Sequence, residues 1–138
     1  MAKGIRRVNK YVLHHRDKPG DGSHLLKTLK KHGINLLALT AFPAASGTSQ
    51  VELIPEDAAW LEALAKQFGW RLSKKRTGFL AQGKDRAGAL VKLAERLGTA
   101  GINITQIDAI AAGAERYGAV FWVRPKDVER ATLVLGGR

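Results

Sequence analysis

The sequence predicts an α+β fold in which one β-α-β-β-α-β pattern is written twice, the second time without its last strand. Two pairs of matching phrases and one constant spacing predict it. "RDKPG" (16–20) is answered by "KDRAG" (84–88), and "GINLLALTAF" (33–42) by "GINITQIDAI" (101–110). A shift of 68 positions carries Tyr11 onto Phe79, Asp17 onto Asp85, Gly20 onto Gly88, Leu25 onto Leu93 and Leu29 onto Leu97. The same shift carries Gly33, Ile34 and Asn35 onto Gly101, Ile102 and Asn103. Beyond them a shift of 70 places Pro55 on Pro125 and Asp57 on Asp127, so the copies differ by two loop residues. An internal repeat of this kind decides the architecture before any local reading does.

Each element follows from its residues. "YVLHH" and "TGFLA" are apolar runs of strand length that end at polar turns. In Asp-Lys-Pro-Gly the Asp bonds its own backbone while Pro and Gly supply the turn dihedrals; the second copy has Ala87 in place of the proline. A helix comes next, with Leu25, Leu26 and Leu29 as its apolar stripe. In the second copy Leu90, Leu93, Ala94 and Leu97 recur at i, i+3, i+4, i+7. Gly33 and Gly101 stand where a left-handed residue stops a helix. "INLLALTAF" and "INITQIDAI" read as the second strands, "SQVELIP" and "YGAVFWV" as the third. Asp57 caps a second helix through Leu61, Leu64, Ala65 and Phe68, and Asp127 precedes Val128, Ala131 and Leu135. "WRLSKK" reads as a fourth strand of the first copy. One unit is therefore a ferredoxin-like split βαβ arrangement, with units at 8–76 and 77–138. The second copy ends where its fourth strand is due, so the edge of its first strand needs cover from the other repeat or from a second chain. Units of this size also sit near the lower limit for a self-sufficient core.

Composition bounds the function. The 138 residues carry no cysteine, which excludes disulfides, thiolate chemistry and zinc–cysteine sites and suits the cytoplasm. No apolar run reaches the ~18–20 residues that span a bilayer, and no apolar segment follows the basic start "MAKGIRRVNK" as a secretory leader requires. The net charge of +11 suggests a polyanion as partner, yet the cations are scattered over both halves, as on an ordinary solvated surface. No nucleophile elbow, phosphate loop, dinucleotide fingerprint or H-E-x-x-H zinc spacing is present, so the sequence predicts a non-enzyme with no cofactor or metal. His14, His15, His24 and His32 lack metal-ligand spacing, and Trp60, Trp70 and Trp122 read as packing residues.

Two such units, each with D-x-x-G opening the first helix ("DKPGDG", "DRAGAL") and G-I-N opening the second strand ("GINL", "GINI"), resemble the ACT domain over about residues 8–136. The resemblance implies a tandem ACT-type regulatory protein that binds a small effector, often an amino acid, at the interface between two units. It implies a homodimer and a separate regulated partner protein. Carried over by position, it implicates Asp17, Lys18, Pro19 and Gly20 with Asn35 and Leu36. In the second copy it implicates Asp85, Arg86, Ala87 and Gly88 with Asn103 and Ile104. The chemistry suits a zwitterion. A turn glycine admits a ligand to the backbone, helix-start N–H groups favour a carboxylate, and Asp and Asn receive an ammonium group. Gly22 replaces the family's usual leucine and Ala87 its proline, so either site is open to alteration. The blander reading makes Asp17 and Asp85 turn formers, Gly33 and Gly101 helix stops, and Asn35 and Asn103 turn stabilisers.

Two other functions compete. RNA-recognition motifs share the topology, and "RYGAVFWV" alternates Tyr117, Ala119, Phe121 and Val123 onto one face as a stacking platform would require. Against it, "SQVELIP" offers no aromatic and carries Glu52. The third is a ligand-free protein-docking module, which needs an exposed apolar patch.

Overall fold

The structure, a computed structural model, describes residues 4–16 and 18–136. Its strands are β1 (Ile5–Arg16), β2 (Leu36–Pro43), β3 (Thr48–Pro55), β4 (Arg76–Lys84), β5 (Ile104–Ala111) and β6 (Arg116–Val123). Its helices are α1 (Asp21–Lys31), α2 (Ala58–Phe68), α3 (Val91–Thr99) and α4 (Val128–Val134). Contacts divide the described residues into two compact units, one within 9–76 and one made of 4–8 together with 77–136.

In the first unit β3 lies between β2 and β1, antiparallel to both, with Tyr11 opposite Leu53 and Leu39 opposite Leu53 from the other side. Tyr11, Leu13, Val51 and Leu53 meet Leu25 and Leu29 of α1 and Leu61 and Leu64 of α2 in one core. The second unit repeats this with β6 between β4 and β5. Phe79, Ala81, Phe121 and Val123 pack beneath Leu93 and Leu97 of α3 and Val128 and Ala131 of α4. Residues 68 apart in sequence hold the same core position: Tyr11 and Phe79, Leu29 and Leu97, Ile34 and Ile102 are all buried. The α+β fold of two ferredoxin-like ACT-type units is present as the repeat predicts.

Both first helices stop by one device. Gly33 and Gly101 lie at φ +72° and +73°, left-handed values that cost a glycine nothing. Ile34 and Ile102 then donate to the carbonyls of Leu29 and Leu97 at 2.9 Å, while the two glycines donate to Lys30 and Gly98. These are Schellman closures. The second helices start differently. Asp57 accepts from the Trp60 amide at 3.1 Å, a cap of about 1 kcal/mol. Asp127 makes no such cap; it is buried between the guanidinium groups of Arg124 and Arg130, at 3.3 and 3.2 Å.

Two elements depart from the sequence reading. "WRLSKK" forms no strand. Ser73 alone bonds β1 there, its amide donating to the Val12 carbonyl (3.0 Å) and its hydroxyl accepting from the Val12 amide (2.9 Å). A side-chain oxygen thus takes the place a ladder carbonyl would have, and pairing stops. The second departure is the length of β1, which begins at Ile5 rather than near Tyr11. Its first residues belong to the second unit and lie beside β4, where Gln82 donates to the Gly4 carbonyl at 2.7 Å. That edge of β4 is taken by residues that precede the first copy.

Tyr11 gives the first unit a pH dependence. Its hydroxyl donates to the Glu62 carboxylate. Burial first, then that bond and the carboxylate's charge, push the phenol well above its ordinary value. A raised folded value means the stabilisation is complete below the unfolded value of about 10 and is lost as pH rises beyond it, at up to ~1.4 kcal/mol per pH unit. Denaturant melts from pH 8 to 11 should show this decline, and Tyr11→Phe should flatten it relative to the parent.

Candidate functional site

The D-x-x-G loops follow the first strand of each unit. Asp17 lies outside the described residues. Lys18, Pro19 and Gly20 are exposed, and α1 starts at once, with Gly20 at φ +92° and its carbonyl accepting from His24 at 2.9 Å. In the second unit Asp85, Arg86, Ala87 and Gly88 are exposed too. Without the proline, two tight turns intervene, Ala89 to Arg86 and Val91 to Gly88, and α3 starts only at Val91.

The Asp85 amide donates to the Glu115 carbonyl at 2.8 Å, which ties the loop to the β5–β6 turn. That turn holds Ala114 and Glu115 at φ +52° and +57°, a region disfavoured for residues with a Cβ. Strain of this kind gathers at binding sites. A shallow depression of about 340 Å³ lies here, lined by Asp85, Arg86, Gly88, Ala109, Ile110 and Tyr117 among others.

The G-I-N residues lie at the far end of each sheet. Leu36 pairs with Pro55, whereas Arg16, just ahead of the first loop, pairs with Thr48. Ile104 pairs with Val123, whereas Lys84, just ahead of the second loop, pairs with Arg116. Within one unit the strand registers therefore keep the two halves of each motif apart.

The two asparagines differ. Asn35 is engaged: its side-chain amide donates to the Glu56 carboxylate and its carbonyl accepts from the Glu56 amide, both at 2.9 Å. The corresponding position in the second copy is Lys126, which cannot accept. Asn103 is exposed, and among the described residues neither its side chain nor that of Asp85 has a hydrogen-bonding partner.

No protein-family model matches this chain, and no curated protein matches it in sequence. Solved structures do. Protein BT0572 from Bacteroides thetaiotaomicron superposes with a TM-score of 0.79 at 18% identity, over 97% of this chain and 90% of that one. The regulatory subunit of aspartate kinase from Thermus thermophilus gives 0.57 at 15% identity, over 97% and 95%. The corresponding subunit from Thermus flavus gives 0.53 at 16% identity, over 97% and 95%. The fold is ACT-like. At these identities the likeness concerns the ACT-like fold, and the site rests on its own geometry.

That geometry removes one premise of the RNA reading. Ala119, Phe121 and Val123 are buried under α3 and α4, and Tyr117 packs against the same core. The face expected to stack bases is the helix-covered face of an ACT-like unit. Glu52, whose negative charge would repel phosphate, is paired with Lys10 at 3.1 Å and accepts from Gln50 at 3.0 Å. Among the described residues no helix is long and apolar enough to cross a membrane.

Proposed function

We propose that this chain is a non-catalytic regulatory protein that binds a small effector, an amino acid, where ACT-like units meet. The observation that carries the reading is the state of the second copy's polar groups. Asp85 and Asn103 are exposed and uncommitted, at opposite ends of one sheet, so a ligand touching both residue types requires two units. The loop backbone beside Asp85 receives the carboxylate, and the Asp and Asn side chains receive the ammonium group. In the first copy Lys18, Pro19, Gly20 and Leu36 have the same placement, but Asn35 must leave Glu56 before it binds anything. The second-copy set is the functional one.

Homodimerisation supplies the second unit. β5 is the outer strand of its sheet and is exposed along most of its length, with Ile107 and Ile110 offering apolar surface to another copy. An effector that binds across such an interface biases the dimer, and through it a regulated partner protein.

A thermal-shift screen against the twenty amino acids tests the reading. A ligand at 100 times its dissociation constant adds about 2.7 kcal/mol of stability. One amino acid should raise the melting temperature, and Asn103→Ala or Asp85→Ala should abolish that rise without lowering the melting temperature of the free protein. A screen in which no amino acid shifts the parent, or in which both variants respond as the parent does, sinks the proposal.

A further inference from the structure

Seven of the 23 Lys and Arg residues line two clefts, one in each unit: Arg16, Lys27 and Lys31 in the first, Lys84, Arg86, Lys92 and Arg96 in the second. In the second unit a cleft of about 540 Å³ runs between the end of β4 and α3. Lys84, Arg86, Lys92 and Arg96 line it, all exposed, and no carboxylate does. Among the described residues none of the four forms an ion pair. Lys92 and Arg96 stand one helical turn apart, a spacing at which like charges repel. Leu93 and Leu135, both buried, form part of the apolar floor. Tyr117 packs against Gly83, where a Cβ would stand 2.8 Å from the ring, so a glycine is what lets the phenol form the wall.

The first unit has a cleft of about 570 Å³ at the corresponding place. Arg16, His24, Leu25 and Thr28 line it 68 positions ahead of Lys84, Lys92, Leu93 and Arg96. Its single carboxylate, Asp21, already faces Arg16 at 3.7 Å. The cleft recurs with the repeated fold, but only Arg16 and Lys84 are cationic in both copies; Lys92 and Arg96 stand where the first copy has His24 and Thr28, so the four-cation cluster is particular to the second unit.

We propose that the second-unit cleft binds a small phosphoryl-bearing anion. Its volume falls within the roughly 300–1,000 Å³ of small-molecule sites. Two guanidinium groups offer forked donors that match phosphate oxygens, and two ammonium groups add point charge. An anion there relieves the repulsion among four cations that form no ion pair among the described residues. The proposal goes beyond the amino-acid site: Lys84, Lys92 and Arg96 are outside that residue set, of which Arg86 alone lines the cleft, while Ala89 and Tyr117 line both the cleft and the depression beside Asp85.

The test titrates the ¹⁵N-labelled full chain with inorganic pyrophosphate and, separately, with adenosine diphosphate, at 0.15 M NaCl. Saturable amide shifts are expected at Gly83–Lys84, Arg86 and Lys92–Arg96. The Lys92→Ala/Arg96→Ala double variant should bind at least tenfold more weakly with an unchanged melting temperature. Equal binding of the two probes assigns the site to the phosphoryl group alone; tighter diphosphonucleoside binding assigns the Tyr117 wall and apolar floor to the ligand's organic part. Shifts that never saturate, that survive the double variant, or that require a long polyanion such as heparin overturn the proposal. Amino-acid binding, read with Asp85→Ala, stands or falls independently of these outcomes.

Discussion

Phe121→Ala is expected to lower the unfolding free energy by about 3–5 kcal/mol, the range for deleting a fully buried aromatic ring. Phe121 is wholly buried at the centre of β6, opposite Phe79, and the two rings stack with centroids 5.3 Å apart. Removing one ring leaves a cavity against the other and beneath α3 and α4, where Ala131 of α4 and Ala119 of β6 are too short to fill it. Because domains are stable by only about 5–15 kcal/mol, the loss is a large share of the total. Urea melts followed by far-ultraviolet dichroism would measure it. A loss below about 1 kcal/mol would mean that the ring is not packed as described. Phe121→Leu, which keeps most of the volume, should recover much of the deficit.

Glu52→Ala is expected to cost about 3 kcal/mol or more, because it removes the carboxylate that faces a buried ammonium. The Lys10 and Glu52 side chains are only 5% and 12% exposed and meet at 3.1 Å on neighbouring strands. Gln50 reinforces the carboxylate from the same strand and also faces His14 at 3.3 Å. The informative comparison is the double replacement Lys10→Met with Glu52→Leu. Buried pairs gain little over apolar neighbours of equal volume, so the double variant should recover most of what Glu52→Ala loses. If Glu52→Ala melts with the parent, the pair is solvated and its apparent burial is irrelevant to stability.

Much of the fold was legible in the sequence because its signals are local. Helix stops need glycine, strand centres need paired apolar residues, and a duplicated phrase repeats both. What was hidden depends on contacts between distant residues. The strand beginning at Ile5 is masked by Arg6 and Arg7, which are exposed and interrupt the alternation. "WRLSKK" carries strand-like residues, but the Ser73 side chain substitutes for the ladder at Val12. Of the site, the exposed loops were placed from their turn chemistry, and the difference between Asn35 and Asn103 was not. It turns on the residue 21 positions beyond Asn35, a glutamate in one copy and a lysine at the matching place in the other. The basic clefts went unread because charge was weighed along the chain. Lys92 and Arg96 at i and i+4, each matched to a cleft residue of the first copy, were the signal available.

The strand at Ile5–Val8 makes the second unit discontinuous. Its β4 rests on a segment synthesised some seventy residues earlier, with the whole first unit in between. Contacts so distant in sequence form late, since closing the intervening chain must precede them. A folded first unit shortens that closure, so the order of synthesis favours building the repeats in sequence. The same arrangement permits exchange. An equivalent strand from another copy could offer β4 the same backbone groups, at the entropic cost of joining two chains. Chain connectivity, rather than the interface itself, keeps this strand at home.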